Sequence, residues 1–323
     1  MKIKFVIRWL PVLLMISASV VWSADPYPQK PVRMVVGFAP GGAPDIIGRI
    51  VGRHMSESLG QNVIIDNRPG ATGNIGAEIV ARAAPDGHTV FMATVSVAIS
   101  PAFYRALPFD PVRSFAPVSR VAMVPLLLVV HPTLPATSVR ELITLAKSKP
   151  GALNYASVGT GSPQHLSGEL FNARAGVRIV HVPYKGGGPA TAAILAGEAQ
   201  LFFAGMPAAL PHARAGRLRA LAVSTARRSP SAPEVSTVAE AGLPGFEADN
   251  WHGVLAPAGT PKSVIARLNA ELVKTLGSAE VQAQLIKAGA EGVSSSADEF
   301  AAFIRTEKAK WAQVAKMAGV KPQ

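Results

Sequence analysis

The sequence predicts an α/β fold in two lobes joined by a two-strand hinge. Three observations predict it. From Pro31 to Pro150, β-rich runs alternate with segments whose apolar residues share one helical face. A second series of the same kind begins after the all-apolar run Leu126–Val130, and a helical remainder follows Phe246–Pro257. Strands alternating with helices argue for a largely parallel sheet. If the C-terminal helices return to the first unit, the chain crosses between the lobes twice. The lobes are then 24–125 with 247–323, and 126–246.

The N-terminus reads as an export signal. Lys2, Lys4 and Arg8 precede an apolar core, Leu10–Val21, and small residues follow at Ser23 and Ala24. The core is shorter than the ~20 apolar residues of a membrane span. Cleavage after Ser23 makes 1–23 a signal peptide and the mature chain exported and soluble. The chain has no cysteine. This excludes disulfides, thiolate metal sites, a cysteine nucleophile and anchoring through a lipidated cysteine.

In the first series Val32–Gly37 is a strand, and Ile46, Ile47, Ile50, Val51, Met55 and Leu59 fall on one helical face. Val63–Ile65 and Thr89–Thr94 are the next strands, with helix Ala77–Ala83 between them and a Pro85-Asp86-Gly87 turn. In the second series Ser138 and Glu141 form a capping box for helix Val139–Ser148. Leu153–Ser157 is a strand; Ser162 caps, and Pro163 opens, a helix reaching about Ala175. Ile179–Val182 and Leu218–Val223 are strands, with helix Ala190–Ala196 between glycine-rich turns. Then come helices Ser263–Leu276 and Ala279–Ala288, and one over Ala297–Met317 opened by a Ser296/Glu299 capping box. The stripe Phe300, Phe303, Ile304, Trp311, Val314 on that last helix reads as core.

The chemistry lies in the glycine-rich turns between strands and helices. The first is Phe38-Ala39-Pro40-Gly41-Gly42-Ala43-Pro44-Asp45, and the second runs from Asn67 through Gly70, Ala71, Thr72, Gly73 and Asn74 to Gly76. A third is Val158-Gly159-Thr160-Gly161-Ser162. Small residues admit a ligand close to the main chain, and each following helix offers free N–H groups and partial positive charge. No Gly-Lys-Ser/Thr follows the first turn, and glycines 70, 73 and 76 lack dinucleotide spacing. The signature is that of a small oxyanion held by main chain, at a crevice where three such loops converge. Asp45 and Ser162 each cap a helix and can also reach a ligand.

Other chemistries find little support. Neither Ser157 nor Ser162 sits in a G-x-S-x-G elbow. The seven histidines, at 54, 88, 131, 165, 181, 212 and 252, form no H-x-x-x-H or H-x-H pair, so no metal or other cofactor is expected. His165, one turn beyond Ser162, is the best placed. Thirty-two Lys and Arg stand against 20 Asp and Glu. The cations are dispersed and not interleaved with aromatics, so no nucleic-acid partner is expected.

The motifs together resemble the Bug-type receptors, the periplasmic solute-binding proteins of tripartite tricarboxylate transporters. The resemblance is carried by Tyr27-Pro-x-Lys30-Pro31-Val32-Arg33, the first two turns, Pro85-Asp86-Gly87, Gly159-Thr160-Gly161-Ser162-Pro163-x-His165-Leu166 and Val182-Pro183-Tyr184-Lys185-Gly186. Further along it is carried by Ala215–Val223, Glu240–Phe246, Trp251, Ala256–Pro261 and Trp311. It implies a two-lobed, type II-like periplasmic binding-protein fold that closes on a small carboxylate and delivers it to permease subunits. A monomer and no enzymatic activity are expected. By resemblance, Phe38–Asp45 and Ala71–Asn74 hold one carboxylate through main chain and ordered water, with Ser96 facing the same crevice. Thr160, Gly161, Ser162 and His165 approach from the other lobe, and Tyr184 and Gly205 complete the wall. Ala43-Pro44 and Ala204 depart from the pattern: the first removes an N–H and a hydroxyl, the second a carboxylate. The competing readings are a receptor that presents ligand to a signalling partner, and an exported serine hydrolase using Ser162 and His165.

Overall fold

The computed structural model describes residues 27–248 and 250–317. The segment read as a signal peptide, 1–23, lies outside the described residues. The first series is β1 (Val32–Val36), α1 (Ala43–Leu59), β2 (Val63–Asn67), α2 (Asn74–Ala81), β3 (Thr89–Thr94), α3 (Ser96–Ile99) and β4 (Phe115–Met123). The second is β5 (Leu126–Val130), α4 (Val139–Ser148), β6 (Asn154–Ser157), α5 (Pro163–Ala175), β7 (Val180–Pro183), α6 (Gly187–Leu195), β8 (Leu201–Gly205), α7 (Met206–Arg214) and β9 (Arg219–Val223). The chain ends with β10 (Trp251–Pro257), α8 (Lys262–Gly277), α9 (Ala279–Ala288), β11 (Glu291–Gly292) and α10 (Ala297–Met317).

Two sheets result, in the orders β11-β4-β10-β3-β1-β2 and β7-β6-β8-β5-β9. Both follow one plan. A first strand (β1 or β6) runs parallel to the second and third, and the strand that follows a crossing from the other lobe inserts between the third and fourth. The inserted strands, β10 and β5, are antiparallel to their neighbours, so the sheets are mixed rather than largely parallel. Direction explains this. The early strands of each lobe end at the gap between lobes, whereas β5 and β10 start there, at the crossings, and run away from it.

The apolar run Val121–Val130 is divided at Pro125 between β4 of one sheet and β5 of the other. Proline lacks the N–H that a continuous strand needs. The two crossings lie side by side: Val124 N donates to Asn250 O at 2.7 Å, and Ser224 Oγ donates to Ala248 O at 2.7 Å. Helices α8 and α10 pack on β4, returning the C-terminal segment to the first sheet.

Local signals place the helix starts. Glu299 N donates to Ser296 Oγ while Ser296 N donates to the Glu299 carboxylate at 2.9 Å, a reciprocal capping box. Ser138 Oγ accepts from Glu141 N at 3.2 Å at the head of α4. Helices α2 and α6 begin three residues earlier than their periodicity suggests, at Asn74 and Gly187, so the glycine turns form their N-termini. No periodicity announces α7, which carries Pro211 internally. Burial of Met206, Ala208, Ala209 and Leu210 holds it where its hydrogen bonding is incomplete.

Candidate functional site

Six strand-to-helix loops reach the gap, three from each lobe (β1–α1, β2–α2 and β3–α3; β6–α5, β7–α6 and β8–α7), because the two sheets share one plan. In the first lobe β1–α1 and β2–α2 touch through bare backbone: a Cβ on Gly37 would lie 2.6 Å from Gly73 Cα. Across the gap, Gly186 to Gly188 at the head of α6 face Ala39, Pro40 and Gly42 at the head of α1. A Cβ on Gly188 would lie 2.4 Å from Pro40 O, so only glycine permits this approach. Gly41 N donates to Asp45 Oδ2 at 3.0 Å and shapes the same turn. Thr72 Oγ1 donates to Thr160 O at 2.6 Å. The lobes are therefore closed on one another.

Closure leaves two neighbouring spaces. The inner cavity, about 20 Å³, is lined by Phe38, Ala43, Pro44, Thr94, Ser96, Val158, Pro163, Gln164, Gly187, Gly205, Ala208, Asn250 and His252. The outer one, about 210 Å³, is lined by Ala71, Thr72, Gly73, Tyr104, Thr160, Tyr184 and Lys185 among others. Phe38 and Val158 border both and form the partition.

The inner cavity is built for a polar guest. Ser96 Oγ, Gln164 Oε1, Asn250 Oδ1 and His252 Nδ1 are buried there without a hydrogen-bond partner. Buried polar atoms are ordinarily paired, because leaving one unpaired costs about 1–3 kcal/mol. Four orphans around one cavity mark the place of a ligand or of water. The heads of α1, α5 and α6 and the Gly205 cap of α7 also border it, so the local potential is positive. Among the described residues, no charged side chain lines it. Burial pushes the His252 imidazole down to about 3, so it is neutral in this cavity at ordinary pH.

The expected site residues divide into three groups. Phe38, Ser96 and Gly205 border the inner cavity; Ala71, Thr72, Gly73, Thr160 and Tyr184 border the outer one. Ala39, Pro40, Gly41 and Gly42 form the seam against α6. The remaining five point elsewhere and shape the loops. Asp45 pairs with Arg49 at 2.8 Å; burial raises its carboxyl, but hydrogen bonds from Arg49, Gly41 and Asn67 bring it below its ordinary value. Asn74 Oδ1 accepts from Ser100 Oγ at 2.8 Å. Gly161 N donates to His165 Nδ1 at 3.1 Å, and Ser162 Oγ accepts from His165 N at 3.2 Å. Ser162 is thus a helix cap whose hydroxyl faces a backbone amide. The hydrolase reading needs it paired with the imidazole.

The His165 ring stacks on His181 with centroids 4.0 Å apart, and burial lowers both. Ala204 is buried within β8 and borders neither space. Pro44 borders the inner cavity from the first turn of α1, a position where a missing N–H breaks no helical bond. Sequence reasoning passed over Gln164, Asn250 and His252. Gln164 was legible as the second residue of a helix whose cap faces the crevice. Asn250 and His252 sit two apart at the start of a crossing strand, the spacing that puts both on one face.

Residues 47–320 match the family model described as the tripartite tricarboxylate transporter family receptor. The chain belongs to this receptor family. BugT of Bordetella pertussis is 40% identical over 301 residues, covering 93% of this chain and 92% of BugT. The Rhodopseudomonas palustris receptor Rpa4515, solved with adipate, is 39% identical with a TM-score of 0.90, covering 92% of this chain and 100% of that one. MatC of the same organism, solved with bound malate, is 33% identical with a TM-score of 0.84, covering 90% and 100%. The fold is the two-lobed, mixed α/β periplasmic binding-protein fold of this receptor family. Among the described residues, no helix is long and apolar enough to cross a membrane.

Proposed function

We propose that this receptor captures a small carboxylate in the periplasm, after removal of 1–23, and delivers it to the permease subunits of a tripartite transporter. It acts as a monomer of two lobes, 24–125 with 247–323 and 126–246, that close about the paired crossings. The observation that carries this reading is the inner cavity, with four unpartnered buried polar atoms among the heads of four helices. An anion there gains from the helix dipoles and from hydrogen bonds the closed protein leaves unmade. The solved relatives with adipate and malate support a carboxylate as the anion. The β1–α1 and β2–α2 loops present main-chain groups to the ligand from the first lobe, and the loops before α5, α6 and α7 face it from the second.

The test is mass spectrometry of small molecules released from gently purified protein, followed by a thermal-shift panel of organic acids. A ligand at one hundred times its Kd stabilises the fold by ~2.7 kcal/mol, a readily measured rise in melting temperature. No shift with any carboxylate at millimolar concentration would remove the proposal.

A further inference from the structure

A ligand with two carboxylates poses a charge problem in this cleft. The outer space has a cation on its wall, Lys185. Among the described residues the inner cavity has none: its lining is apolar side chains, glycine, proline and the neutral groups of Thr94, Ser96, Gln164 and Asn250, plus His252. Helix N-termini contribute partial charge only, and three of the four heads here carry a proline in their first two positions, which removes donors. Among the described residues of that wall, His252 is the side chain able to gain a full positive charge near neutral pH.

Its surroundings leave it free to respond. His252 is 1% exposed, and its Nδ1 has no partner. Across the sheet it faces Thr94 on β3 and Ala122 on β4, both neutral. Two charged groups near this stretch of strand are engaged elsewhere: Arg120 lies over the Phe303 ring, and Glu307 accepts from Trp251 Nε1, whose side chain alternates to the opposite face from His252. Burial alone depresses the imidazole, with no neighbouring charge contributing. An anion placed beside such a group favours its charged form, and the attraction is strongest where water is excluded.

We infer that His252 recognises the inner end of a dicarboxylate, taking up one proton from solution as the second carboxylate enters and holding it as an imidazolium–carboxylate pair. This rests on the carboxylate reading above and adds the charge state of the ligand to it. Linkage fixes the sign. The free site is unprotonated at neutral pH and the dianion-bound site is protonated, so binding strengthens as pH falls.

The test is titration calorimetry of the mature protein with adipate and with hexanoate at pH 7, in PIPES and in imidazole buffers of contrasting ionisation heat. Adipate should take up about one proton per site, and its affinity should rise up to about tenfold per unit fall between pH 8 and pH 6. Hexanoate should take up almost none. His252→Gln should abolish the uptake and weaken adipate more than hexanoate. The wild-type measurement stands alone if that variant folds poorly. Adipate binding without proton uptake would overturn the inference and leave the carboxylate reading intact. So would binding of monocarboxylates when no linear C4–C8 dicarboxylate binds. If no carboxylate binds at all, both fall together.

Discussion

Thr72 and Thr160 join the two lobes directly: the Thr72 hydroxyl donates to the Thr160 carbonyl at 2.6 Å across the outer space. Thr72 makes this bond from a left-handed backbone conformation, φ 56°, that β-branched residues rarely adopt. Its hydroxyl also lies 3.3 Å from the Tyr104 hydroxyl. Unfavourable backbone geometry is thus retained at a loop that lines the cleft, where an inter-lobe bond rewards it only when the lobes are closed.

Replacing Thr72 by Val keeps the shape and deletes that bond. A net hydrogen bond contributes about 0.5–1.5 kcal/mol, so carboxylate affinity should fall about 2- to 12-fold. Thr72→Ser keeps the hydroxyl and should retain most of the affinity. Calorimetric affinities decide it, with X-ray scattering to show whether the unliganded variant is more open. Equal affinities for Thr72→Val and wild type would mean the bond does not bias closure.

The buried histidines set the acid response. Burial lowers His165, His181 and His252, the last two to about 3, against an ordinary value of 6.5. The unfolded chain therefore binds more protons than the folded one below about pH 6.5, and stability falls as pH drops from there toward about 3. Asp45, Asp66, Asp86 and Asp110 all lie below their ordinary 3.8, so their share is lost only at lower pH. Melting temperature should thus be flat from pH 8 to 7 and decline from pH 6.5 to 4.5. His181→Gln should reduce that slope; an unchanged slope would show that His181 is not the group being titrated.

The fold class was legible where a helix start has a local cause. Ser162 with Pro163, and Ser296 with Glu299, announce their helices through side chains that satisfy specific N–H groups. The glycine turns were legible for the same reason, since close backbone approach at Gly37 and Gly73 demands the absence of a Cβ. The mixed strand direction was not legible. It follows from β5 and β10 starting at the crossings, a fact of chain path that periodicity does not encode. Asn250 and His252 were hidden likewise, since they reach the cavity from a crossing strand and not from a glycine loop. Ser162 and His165 are chemically versatile residue types, yet the Ser162 hydroxyl caps α5 and the His165 ring braces the preceding loop.

At the back of the first lobe, Glu307 holds α10 to β10. Its Oε2 accepts from Trp251 Nε1 at 3.0 Å and from Trp311 Nε1 at 2.9 Å. Glu307→Leu would bury two indole N–H groups without acceptors, at about 1–3 kcal/mol each. Urea unfolding should show a loss of roughly 2–5 kcal/mol, allowing for non-additivity between two bonds to one carboxylate. Glu307→Gln, which keeps an acceptor, should lose less. Equal losses in the two variants would place the cost in packing instead of hydrogen bonding.

Gly188 separates stability from closure. It lies in the first turn of α6, where alanine is the better helix former by up to about 1 kcal/mol. In the closed form, however, an alanine Cβ would lie 2.4 Å from the Pro40 carbonyl oxygen, a contact that backbone cannot yield to. Gly188→Ala should therefore leave melting of the unliganded protein unchanged or slightly raised, while carboxylate affinity drops more than tenfold. Scattering should show the variant remaining extended when ligand is added, whereas wild type contracts. Lower stability with normal contraction would mean that Gly188 serves the fold of the second lobe alone, and that the lobes meet less tightly at α1 and α6 when ligand is bound.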